Sequence, residues 1–410
     1  MSRLNEPTNE ASAMQKEISD IAEQGGGRAT KVEQLIQQYC PDGVEYKKLE
    51  DCCQILDNKR KPITKGARVA GEYPYYGANG VQDYVANYIF DGKYVLVGED
   101  GSVITPSGTP VVNWAEGKIW VNNHAHIISE KKGVLLRYLF HYLQTINITP
   151  LIHGNIPKLT GGDFRALTIP VPPLPVQEEI VRILDNFAEL QAELQAELQK
   201  RLQQYNYYRD NLLSFEGRTD VVWKKLGEIG KVCMCKRILK DQTSSTGDIP
   251  FFKIGTFGGS ADAYISKELF EEYVKKYSYP KKGDILISAA GTIGRTVVFD
   301  GTPSYFQDSN IVWLKHDESV VLNSYLRYIY SLNPWAISTG GTIARLYNDN
   351  ILNAVIPIPP LAEQQRIVDI LDRFDKLTTD ITAGLPAEIE ARRKQYEYYR
   401  DQLLTFKQKA

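Results

Sequence analysis

The chain has 410 residues, of which 43% are hydrophobic and 24% charged, and its formal net charge is −2. Such a length predicts two or more domains, and the composition is typical of a globular protein with enough apolar residues for a core. The charge excludes a uniformly basic nucleic-acid binder, so any DNA contact must come from local basic patches or from a partner.

The sequence also indicates in which cellular compartment the protein is found. No apolar run reaches membrane length and the N-terminus does not resemble a signal peptide, so we predict a cytoplasmic protein without a membrane span. The five cysteines are Cys40, Cys52, Cys53, Cys233 and Cys235. Their odd number and short spacings do not form a disulfide framework, which favours buried thiols in a reducing compartment.

The first residues predict a tail and a short helix. Residues 1–29 are polar, with three consecutive glycines, and predict a mobile tail that is partly helical at most. Residues 30–43 predict an N-terminal helix with Val32, Leu35 and Ile36 on one side, ended by a Pro-Asp-Gly turn.

Two globular domains follow, at residues 44–174 and 216–360. They open on similar segments, residues 44–49 and 221–226, which are 177 positions apart. Short β-like runs separated by turns fill both spans, and one helix is predicted in each, at 134–143 and 322–332. We therefore predict an α+β fold with two globular domains of similar size, each mixing short strands and helices.

The strongest internal repeat closes each domain. An extended proline run at residues 169–174 leads into a polar helix, and the same pattern recurs at residues 356–361, 187 positions later. The two helical segments end alike, with eight identities in eleven positions between residues 205–215 and 396–406. The chain is therefore one unit built twice.

The helices are predicted to be long and to pair. Residues 175–215 predict one central helix of about 60 Å with a single apolar stripe, because neither proline nor glycine interrupts residues 177–215. Residues 361–406 predict a second helix that Gly384 and Pro386 break near 384–386. We expect the two to form an antiparallel coiled coil with a pseudo-twofold repeat. The matches also predict that the first helix of the chain packs near the last.

These paired segments carry a family likeness. The runs Pro-Pro-Leu-Pro-Val-Gln-Glu-Glu-Ile-Val at 172–181 and Pro-Pro-Leu-Ala-Glu-Gln-Gln-Arg-Ile-Val at 359–368 each stand behind a variable domain. In this doubled context, over residues 30–406, the chain resembles the specificity subunit of type I restriction–modification systems. Its first copy has Val176-Gln177-Glu178 where the family usually has Glu-Gln-Gln, and we expect the helix contacts there to be retained.

The resemblance implies a role without chemistry of its own. Each variable domain would read one half of a split, asymmetric double-stranded DNA site, and the helices would set the spacing and dock two methyltransferase subunits. Two restriction/translocase subunits would cut unmethylated DNA as a defence against phage. S-adenosylmethionine, ATP and magnesium would be bound by those partners and not by this chain, which would be a non-catalytic part of a restriction endonuclease and adenine-N6 methyltransferase complex.

The motifs of the alternatives are missing or weak. No Asn/Asp-Pro-Pro-aromatic motif and no phosphate-binding loop are present in the sequence. Residues 41–47 fit a nuclease-like P-D…E-x-K string, but a turn is the more natural interpretation. His124-x-His126 is typical either of a metal pair or of a structural or base-contacting pair. An unrecognised nuclease or methyltransferase acting on its own, or a scaffold protein, remains the alternative to the specificity subunit.

Candidate DNA contacts come from basic residues beside Gly- and Asn-rich turns, which are either phosphate clamps or ordinary solvated loops. An asparagine on such a turn can pair bidentately with adenine. In the first domain the candidates are Lys59, Arg60, Lys61, Tyr76, Asn79, Asn123, His124, Asn155 and Lys158. In the second they are Lys236, Arg237, Lys253, Thr256, Ser288, Thr292, Arg295, Gln307, Thr342 and Arg345.

The central helix contains a candidate spacer. Ala-Glu-Leu-Gln occurs three times in tandem, at residues 188–191, 192–195 and 196–199. It is either a duplicated run of good helix formers or a ruler between the half-sites. Four helical residues add about 6 Å, against about 3.4 Å for a base pair, so one unit corresponds to a gap change of about one base pair.

Overall fold

A computed structural model describes residues 31–101, 103–152, 155–336, 345–380 and 382–409. The predicted tail, residues 1–29, lies outside these ranges. The chain divides into two compact units. Unit 1 contains the residues up to Gln195 together with Ile389–Ala410, and unit 2 contains Ala196–Glu388.

Unit 1 begins with a helix and then builds a sheet. Its elements before the central helix are α1 (Lys31–Tyr39), β1 (Glu45–Lys48), α2 (Leu49–Cys52), β2 (Gln54–Ile55), β3 (Ala70–Gly77), β4 (Gly80–Val85), β5 (Phe90–Gly98), β6 (Val112–Val121), β7 (Ala125–Ser129), α3 (Leu136–Leu143), α4 (Gly161–Ala166) and β8 (Thr168–Val171). The central helix α5 (Leu174–Ser214) follows, and its first half belongs to unit 1.

Unit 2 repeats this order with additions. Its elements are β9 (Val222–Lys225), α6 (Leu226–Ile229), β10 (Gly230–Cys233), β11 (Ile249–Phe252), β12 (Tyr264–Ile265), α7 (Lys267–Lys276), β13 (Ile285–Ser288), β14 (Thr296–Val298), β15 (Tyr305–Phe306), β16 (Ile311–His316), α8 (Asn323–Ser331), α9 (Asn348–Leu352), β17 (Val355–Ile358) and α10 (Leu361–Thr379). The last helix, α11 (Leu385–Leu403), starts in unit 2 and continues into unit 1.

The strand order is the same in both units. In unit 1 it is β2-β7-β5-β6-β3-β4. In unit 2 it is β10-β16-β13-β14 in one sheet and β15-β11-β12 in another, so that β14 and β15 together correspond to the long strand β6. The β3–β6 and β11–β15 pairs are both parallel, whereas their neighbours in the order are antiparallel. The predicted α+β domains are therefore two copies of one architecture.

The second domain also differs from the prediction. We expected one helix per domain, and that expectation was wrong for both: the short helices α2 and α4 accompany α3 in the first domain, and in the second the ten-residue helix α7 precedes β13 as an insertion. The side-chain oxygen of Ser266 caps α7 by accepting from the backbone N–H of Leu269 at 3.3 Å. Leu269, Phe270 and Tyr273 pack on the aromatic core around Tyr305. This helix was not predicted because its sequence is highly charged and its apolar stripe is short.

A two-stranded ladder closes each domain. Strand β1 pairs antiparallel with β8, with Glu45 opposite Val171. Strand β9 pairs in the same way with β17, with Val222 opposite Ile358. The ladders join the opening segment of each domain to its proline run, which explains why these two borders are the parts that repeat in sequence.

A buried glutamine locks each proline run to the helix that follows it. Gln177 accepts a hydrogen bond from the backbone N–H of Leu135 at 2.9 Å and donates to the carbonyls of Gly133 and Pro172 at 3.1 and 2.7 Å. Its side chain is fully buried. The expected retention of contacts in this first copy is observed at Gln177, whereas the ion pairs that Glu363 forms in the second copy are replaced by the buried side chain of Val176.

The second copy repeats the lock 187 positions later. Gln364 accepts from the N–H of Leu322 at 2.9 Å and donates to the carbonyls of Val320 and Pro359 at 3.0 and 2.8 Å. We call Gln177 and Gln364 the paired glutamines.

Within unit 2, the second half of α5 and α10 run antiparallel. The rings of Tyr208 and Phe374 stack at 5.5 Å, and farther along the chain Arg218 donates to Glu363 at 3.0 Å. The partner's number falls from 374 to 363 as the number along α5 and the residues after it rises from 208 to 218, as antiparallel packing requires. The predicted break also occurs, because α10 ends at Thr379 and α11 begins at Leu385.

The first helix of the chain packs near its last residues, as predicted. Val32 of α1 and Leu404 belong to the same apolar core of unit 1. The hydroxyl of Tyr46 donates to the carbonyl of Phe406 at 2.9 Å, and Val44 forms a parallel bridge with Gln408. Residues of α1 and of the segment 404–408 thus contribute to one core and its edge.

Two further expectations concern cysteines and membranes. All five cysteines are buried free thiols, and burial raises the pKa of Cys52 to about 11. Across the described ranges, no helix combines the length and the apolar character that a bilayer crossing requires.

Candidate nucleic-acid interface

Four segments of domain 1 meet at one end of its sheet. They are the turn after β3 (residues 78–79), the loop after β5 (99–101), the loop between β6 and β7 (122–124) and the segment at 155–158, which together we call loop edge 1. The first three follow or precede strands of the sheet, which fixes where their backbones lie. The fourth precedes α4 and is joined to the others by an antiparallel bridge between Lys158 and Asp100.

Backbone hydrogen bonds tie these segments together. The N–H of Glu99 donates to the carbonyl of His124 at 2.8 Å, and the N–H of Leu159 donates to the carbonyl of Glu99 at 2.8 Å. The N–H of Gly101 reaches the carbonyl of Pro157 at 3.0 Å. Loop edge 1 is therefore a rigid platform.

The turn at residues 78–79 belongs to the hairpin of β3 and β4. Gly80, directly after it, has a φ of +93°, a conformation that favours glycine. Asn79 is exposed at the tip, whereas Tyr76 is part-buried on β3. The carbonyl of Tyr76 accepts from the N–H of Asn122 at 3.0 Å, which joins the turn to the next loop.

A cavity of about 510 Å³ opens between these segments. Its lining residues are Ala78, Asn79, Gln82, Asp100, Gly101, His124, Ile156 and Lys158. The structure thus brings together the predicted residues Asn79, His124 and Lys158. Sequence reasoning missed Gln82 and Asp100, because a carboxylate in a predicted DNA-binding patch carries no recognisable motif.

A network of oppositely charged side chains adjoins the cavity through Lys158. Arg60 donates to Glu99 at 2.6 Å, and Lys158 lies 3.4 Å from the same carboxylate. His126 is 2.7 Å from Asp57. Burial by itself would raise the pKa of Asp57, but the hydrogen bond with His126 and the N–H of Ile127 lower it below its usual value.

This network contains the one group of metal-ligand spacing among the described residues, Asp57, Glu99 and His126, whose ligand atoms lie within 4.8 Å of one another. The guanidinium of Arg60 and the ammonium of Lys158 already supply positive charge there. The group therefore works as a set of ion pairs.

The histidines of the His-x-His motif have different environments. His126 is buried, its ring stacks on that of Phe164 at 4.2 Å, and its Nε2 is hydrogen-bonded to the carbonyl of Leu159 at 3.0 Å. His124 is half-exposed and its Nδ1 is hydrogen-bonded to Oδ1 of Asp100. Of the two, only His124 faces the cavity.

The remaining candidates of domain 1 fall into two sets. Arg60 is largely buried and donates to the backbone carbonyls of Asn123 and Ala125 as well as to Glu99, so it supports the loop between β6 and β7. The exposed candidates, whose role in DNA contact stays a prediction, are Lys59, Lys61, Asn123 and Asn155.

Domain 2 has a corresponding platform, loop edge 2, made of residues 253–259, 289–295, 307–310 and the segment at 345–346. The N–H of Ala289 donates to the carbonyl of Asn310 at 2.7 Å, and the N–H of Leu346 donates to the carbonyl of Ala289 at 2.9 Å.

These two bonds match the bonds that the N–H and the carbonyl of Glu99 form with His124 and Leu159 in domain 1. The N–H of Gln307 donates to the carbonyl of Phe252 at 2.9 Å, matching the bond from Asn122 to Tyr76. The two platforms share a backbone frame and differ in side chains.

The arginine predicted beside the proline run holds the centre of loop edge 2. Arg345 donates to the carbonyl of Ser309 at 3.0 Å and to Oδ1 of Asn310 at 3.3 Å. Arg237, from a different segment, pairs with Asp308 at 2.9 Å. Sequence reasoning missed this 308–310 loop, in which Ser309 has a φ of +59°.

Three candidates of domain 2 shape the loops. The amide oxygen of Gln307 accepts from the N–H of Ile254 at 2.9 Å. The buried hydroxyl of Ser288 donates to the carbonyl of Thr292. The first contact joins the 307–310 loop to the 253–259 loop, and the second closes the 289–295 loop. Thr292 itself is exposed.

The other described candidates of domain 2 make contacts with groups of their own domain. Lys236 lies over the ring of Tyr277 at 5.3 Å, and the side chain of Arg295 donates to the carbonyl of Gly258 at 3.1 Å. Thr342 lies outside the described residues. Thr256 accepts from the N–H of Lys253, whose ammonium pairs with Asp262 at 2.8 Å.

The nuclease-like string has no catalytic geometry. Pro41 and Asp42 form the turn between α1 and β1, as expected. Glu45 and Lys47 lie on β1 and pair with each other at 3.1 Å.

Comparison with known proteins agrees with this architecture. A family model described as the type I restriction modification DNA specificity domain matches the chain twice, at residues 41–204 and 219–391. The two matched segments begin and end near the borders of the two structural repeats.

Relatives of similar length carry related names. A protein of Haemophilus influenzae named as a type I restriction enzyme specificity subunit is 55% identical over 372 residues, which cover 88% of this chain and 96% of the relative. The EcoR124I/EcoR124II specificity subunit of Escherichia coli is 36% identical over 66% of this chain and 71% of its own length.

A solved structure shares the fold. The crystal structure of a type I restriction–modification S subunit from M. genitalium superposes with a TM-score of 0.54 at 15% identity, covering 88% of this chain and 95% of that one.

Proposed function

Because the chain belongs to the family of type I restriction–modification DNA specificity subunits, we propose that loop edges 1 and 2 each read one half of a split double-stranded DNA site. The observation that carries this proposal is the shared backbone frame of the two edges with different side chains on it. A fixed frame places both surfaces alike against a duplex, whereas different side chains select different bases. The site is therefore asymmetric.

The chain contributes recognition and no reaction. Members of this family are DNA-recognition proteins, and the alternative of a nuclease or methyltransferase acting alone has no support from the relatives. Methylation of adenine and cleavage belong to partner subunits, which bind S-adenosylmethionine, ATP and magnesium. An adenine flipped out of the stack by a methyltransferase subunit is the group modified.

The helices hold the partners. Two methyltransferase subunits dock on the repeated helical segments, one for each copy of the proline-led helix, and two restriction/translocase subunits join them in the bacterial cytoplasm. The support is the repetition of the paired glutamines and of the Tyr-rich helix ends. Equivalent surfaces bind equivalent subunits.

Phosphate contact comes from local patches, since the net charge of the chain is only −2. Lys59 and Lys61 are exposed, and within the described ranges neither forms an ion pair. The 60–61 segment lies beside the loop between β6 and β7, because the N–H of Lys61 donates to the carbonyl of Val121 at 3.3 Å. These lysines clamp the backbone while loop edge 1 reads bases.

Methylome sequencing tests the function. A host that expresses this chain with its methyltransferase should carry methylated adenines within one bipartite motif. A second chain, with residues 44–170 replaced by the corresponding domain of another specificity subunit, should change one half of that motif only. Random methylation, or a change in both halves, would contradict the proposal.

A further inference from the structure

Asp100 of loop edge 1 is an acidic residue at the cavity, which is unusual on a surface that is proposed to face DNA. The Asp100 side chain is 25% exposed and lines the cavity beside Asn79, His124 and Lys158. Its backbone is fixed, because Asp100 forms an antiparallel bridge with Lys158. A carboxylate here repels phosphate, so it weakens nonspecific binding unless it contacts a base.

The neighbouring cations do not neutralise Asp100. Lys158 and Arg60 both point to Glu99, at 3.4 and 2.6 Å. The partner of Asp100 is His124, through Nδ1 and Oδ1. Among the described residues no hydrogen bond reaches Oδ2 of Asp100, so this oxygen is an acceptor held at the cavity wall.

The major-groove edge of each base decides what such an acceptor can meet. Guanine and thymine present acceptors, and adenine presents the N7 acceptor beside its amino group. Cytosine presents its N4 amino donor without an adjacent acceptor on the same ring. A single carboxylate oxygen is therefore repelled least, and bonded best, by cytosine.

We propose that Asp100, oriented by His124, is a specificity-determining residue that reads a cytosine in the half-site of domain 1 by accepting a hydrogen bond from its N4 amino group. This inference rests on the proposed function of loop edge 1. It assigns a base to one named side chain.

Domain 2 has no carboxylate at the position that corresponds to Asp100. The matched backbone bonds place Ala289 where domain 1 has Glu99, so the next residue, Ala290, stands where domain 1 has Asp100. A methyl group accepts no hydrogen bond. The cytosine requirement therefore belongs to one half-site, which makes the site asymmetric at this position.

The first test changes the carboxylate. Complexes assembled with wild-type chain, Asp100→Ala or Asp91→Ala are compared on duplexes in which each base pair of the motif is varied singly. Asp91 is the matched control, since it is an exposed aspartate near the start of β5, whereas Asp100 follows the end of that strand. Alanine removes the acceptor, so we expect wild type and Asp91→Ala to prefer cytosine at one position by about tenfold or more, and Asp100→Ala to lose that preference there alone.

The second test leaves the protein unchanged and so does not depend on the variant folding. Each cytosine of the half-site is replaced by 2-pyrimidinone, which lacks only the N4 amino group. Wild-type complex should bind one such duplex about tenfold less tightly. With Asp100→Ala, which has no acceptor, that loss should disappear.

The outcomes separate the two levels of the argument. An unchanged cytosine preference in Asp100→Ala, or equal binding of every 2-pyrimidinone duplex, overturns the inference about Asp100 and leaves the proposed function intact. A wild-type complex without base preference in either half-site overturns the proposed function itself.

Discussion

At the residue scale, the paired glutamines keep the same hydrogen-bond geometry in both repeats. Gln177 and Gln364 are fully buried, and each makes three hydrogen bonds to backbone groups of matching positions. A buried amide that satisfies donors and acceptors on two segments fixes the angle between them. The proline run and the helix therefore leave each domain in the same way.

Replacing Gln364 by alanine should destabilise unit 2. It leaves the buried N–H of Leu322 and the carbonyl of Pro359 without this partner. Because each such group costs about 1–3 kcal/mol, we expect the free energy of unfolding in urea to fall by about 2–4 kcal/mol. Gln203→Ala, at an exposed position of α5, is the control and should change it by about 0.5 kcal/mol or less. Equal effects of the two substitutions would contradict the structural role.

Lys158 and Arg345 occupy matching places in the two loop edges. Each precedes the leucine whose N–H bonds to the loop after the central strand. We expect Lys158→Ala to reduce base discrimination in the half-site of domain 1 alone, and Arg345→Ala to do so in the other half-site alone, each by about tenfold. Binding of singly substituted duplexes by the assembled complex measures both, and either variant affecting both half-sites would refute the assignment.

Asp57 predicts a pH dependence of stability. Its pKa in the folded chain lies below the ordinary value of 3.8, so its contribution to stability is fully present above pH 3.8 and is lost as the pH falls through the folded pKa. Urea unfolding from pH 7 to 2 should therefore show wild type more stable than Asp57→Asn above pH 3.8, with the difference shrinking below it. The exposed Asp51→Asn is the control, and a difference that grows in acid would be inconsistent with the network.

At the scale of elements, the middle of α5 is built differently from its ends. Val176, Ile180, Leu184 and Phe187 are buried near its start, and Leu213 is buried near its end. The residues at 188–212 between them are only part-buried or exposed. The Ala-Glu-Leu-Gln repeats fall in this segment, where a change of length removes no buried side chain.

A change in the number of these repeats should alter spacing and nothing else. Deleting residues 192–195 shortens the helix by about 6 Å, which we expect to change the gap between half-sites by about one base pair. Methylome mapping of chains with two, three and four repeats measures the gap. Both half-site sequences should stay the same in all three, and a constant gap would exclude the ruler hypothesis.

At the scale of the whole molecule, unit 1 is completed by α1 and by the segment 404–409. The carbonyl of Lys407 accepts from the N–H of Val44 at 2.9 Å, and the N–H of Lys409 returns to the carbonyl of Val44 at 2.8 Å. Leu404 is buried in the core that contains α1. The segment 404–409 is therefore part of the first domain's support.

Ending the chain after Leu403 should weaken unit 1 selectively. The truncation removes the buried side chain of Leu404 and the bonds to Val44, so amide hydrogens of β1 and α1 should exchange faster. Those of β9 and β17 in unit 2 should be unaffected. A chain that ends after Phe406 keeps the core contact, and we expect a smaller change in it. Uniform acceleration in both units would show that the termini act globally.

The sequence by itself determined the repeats, the helices and the family resemblance. Proline runs and a 3.6-residue apolar stripe are local signals, and the borders of the domains repeat because the ladders and the paired glutamines need particular residues. The sequence did not reveal that the interiors share one strand order. A sheet frame consists of backbone hydrogen bonds, which almost any residue can make, so the same frame leaves no common pattern of side chains.

Only the tertiary structure decided which side chains meet. Asn79, Asp100, His124 and Lys158 are far apart in sequence and line one cavity because β3, β5, β6 and the segment before α4 reach the same end of one sheet. The same folding turned Arg60 and His126 inward, where their charges balance Asp57 and Glu99. Local sequence carries the charge of these groups, but pairing between distant strands decides whether each faces DNA or its own domain.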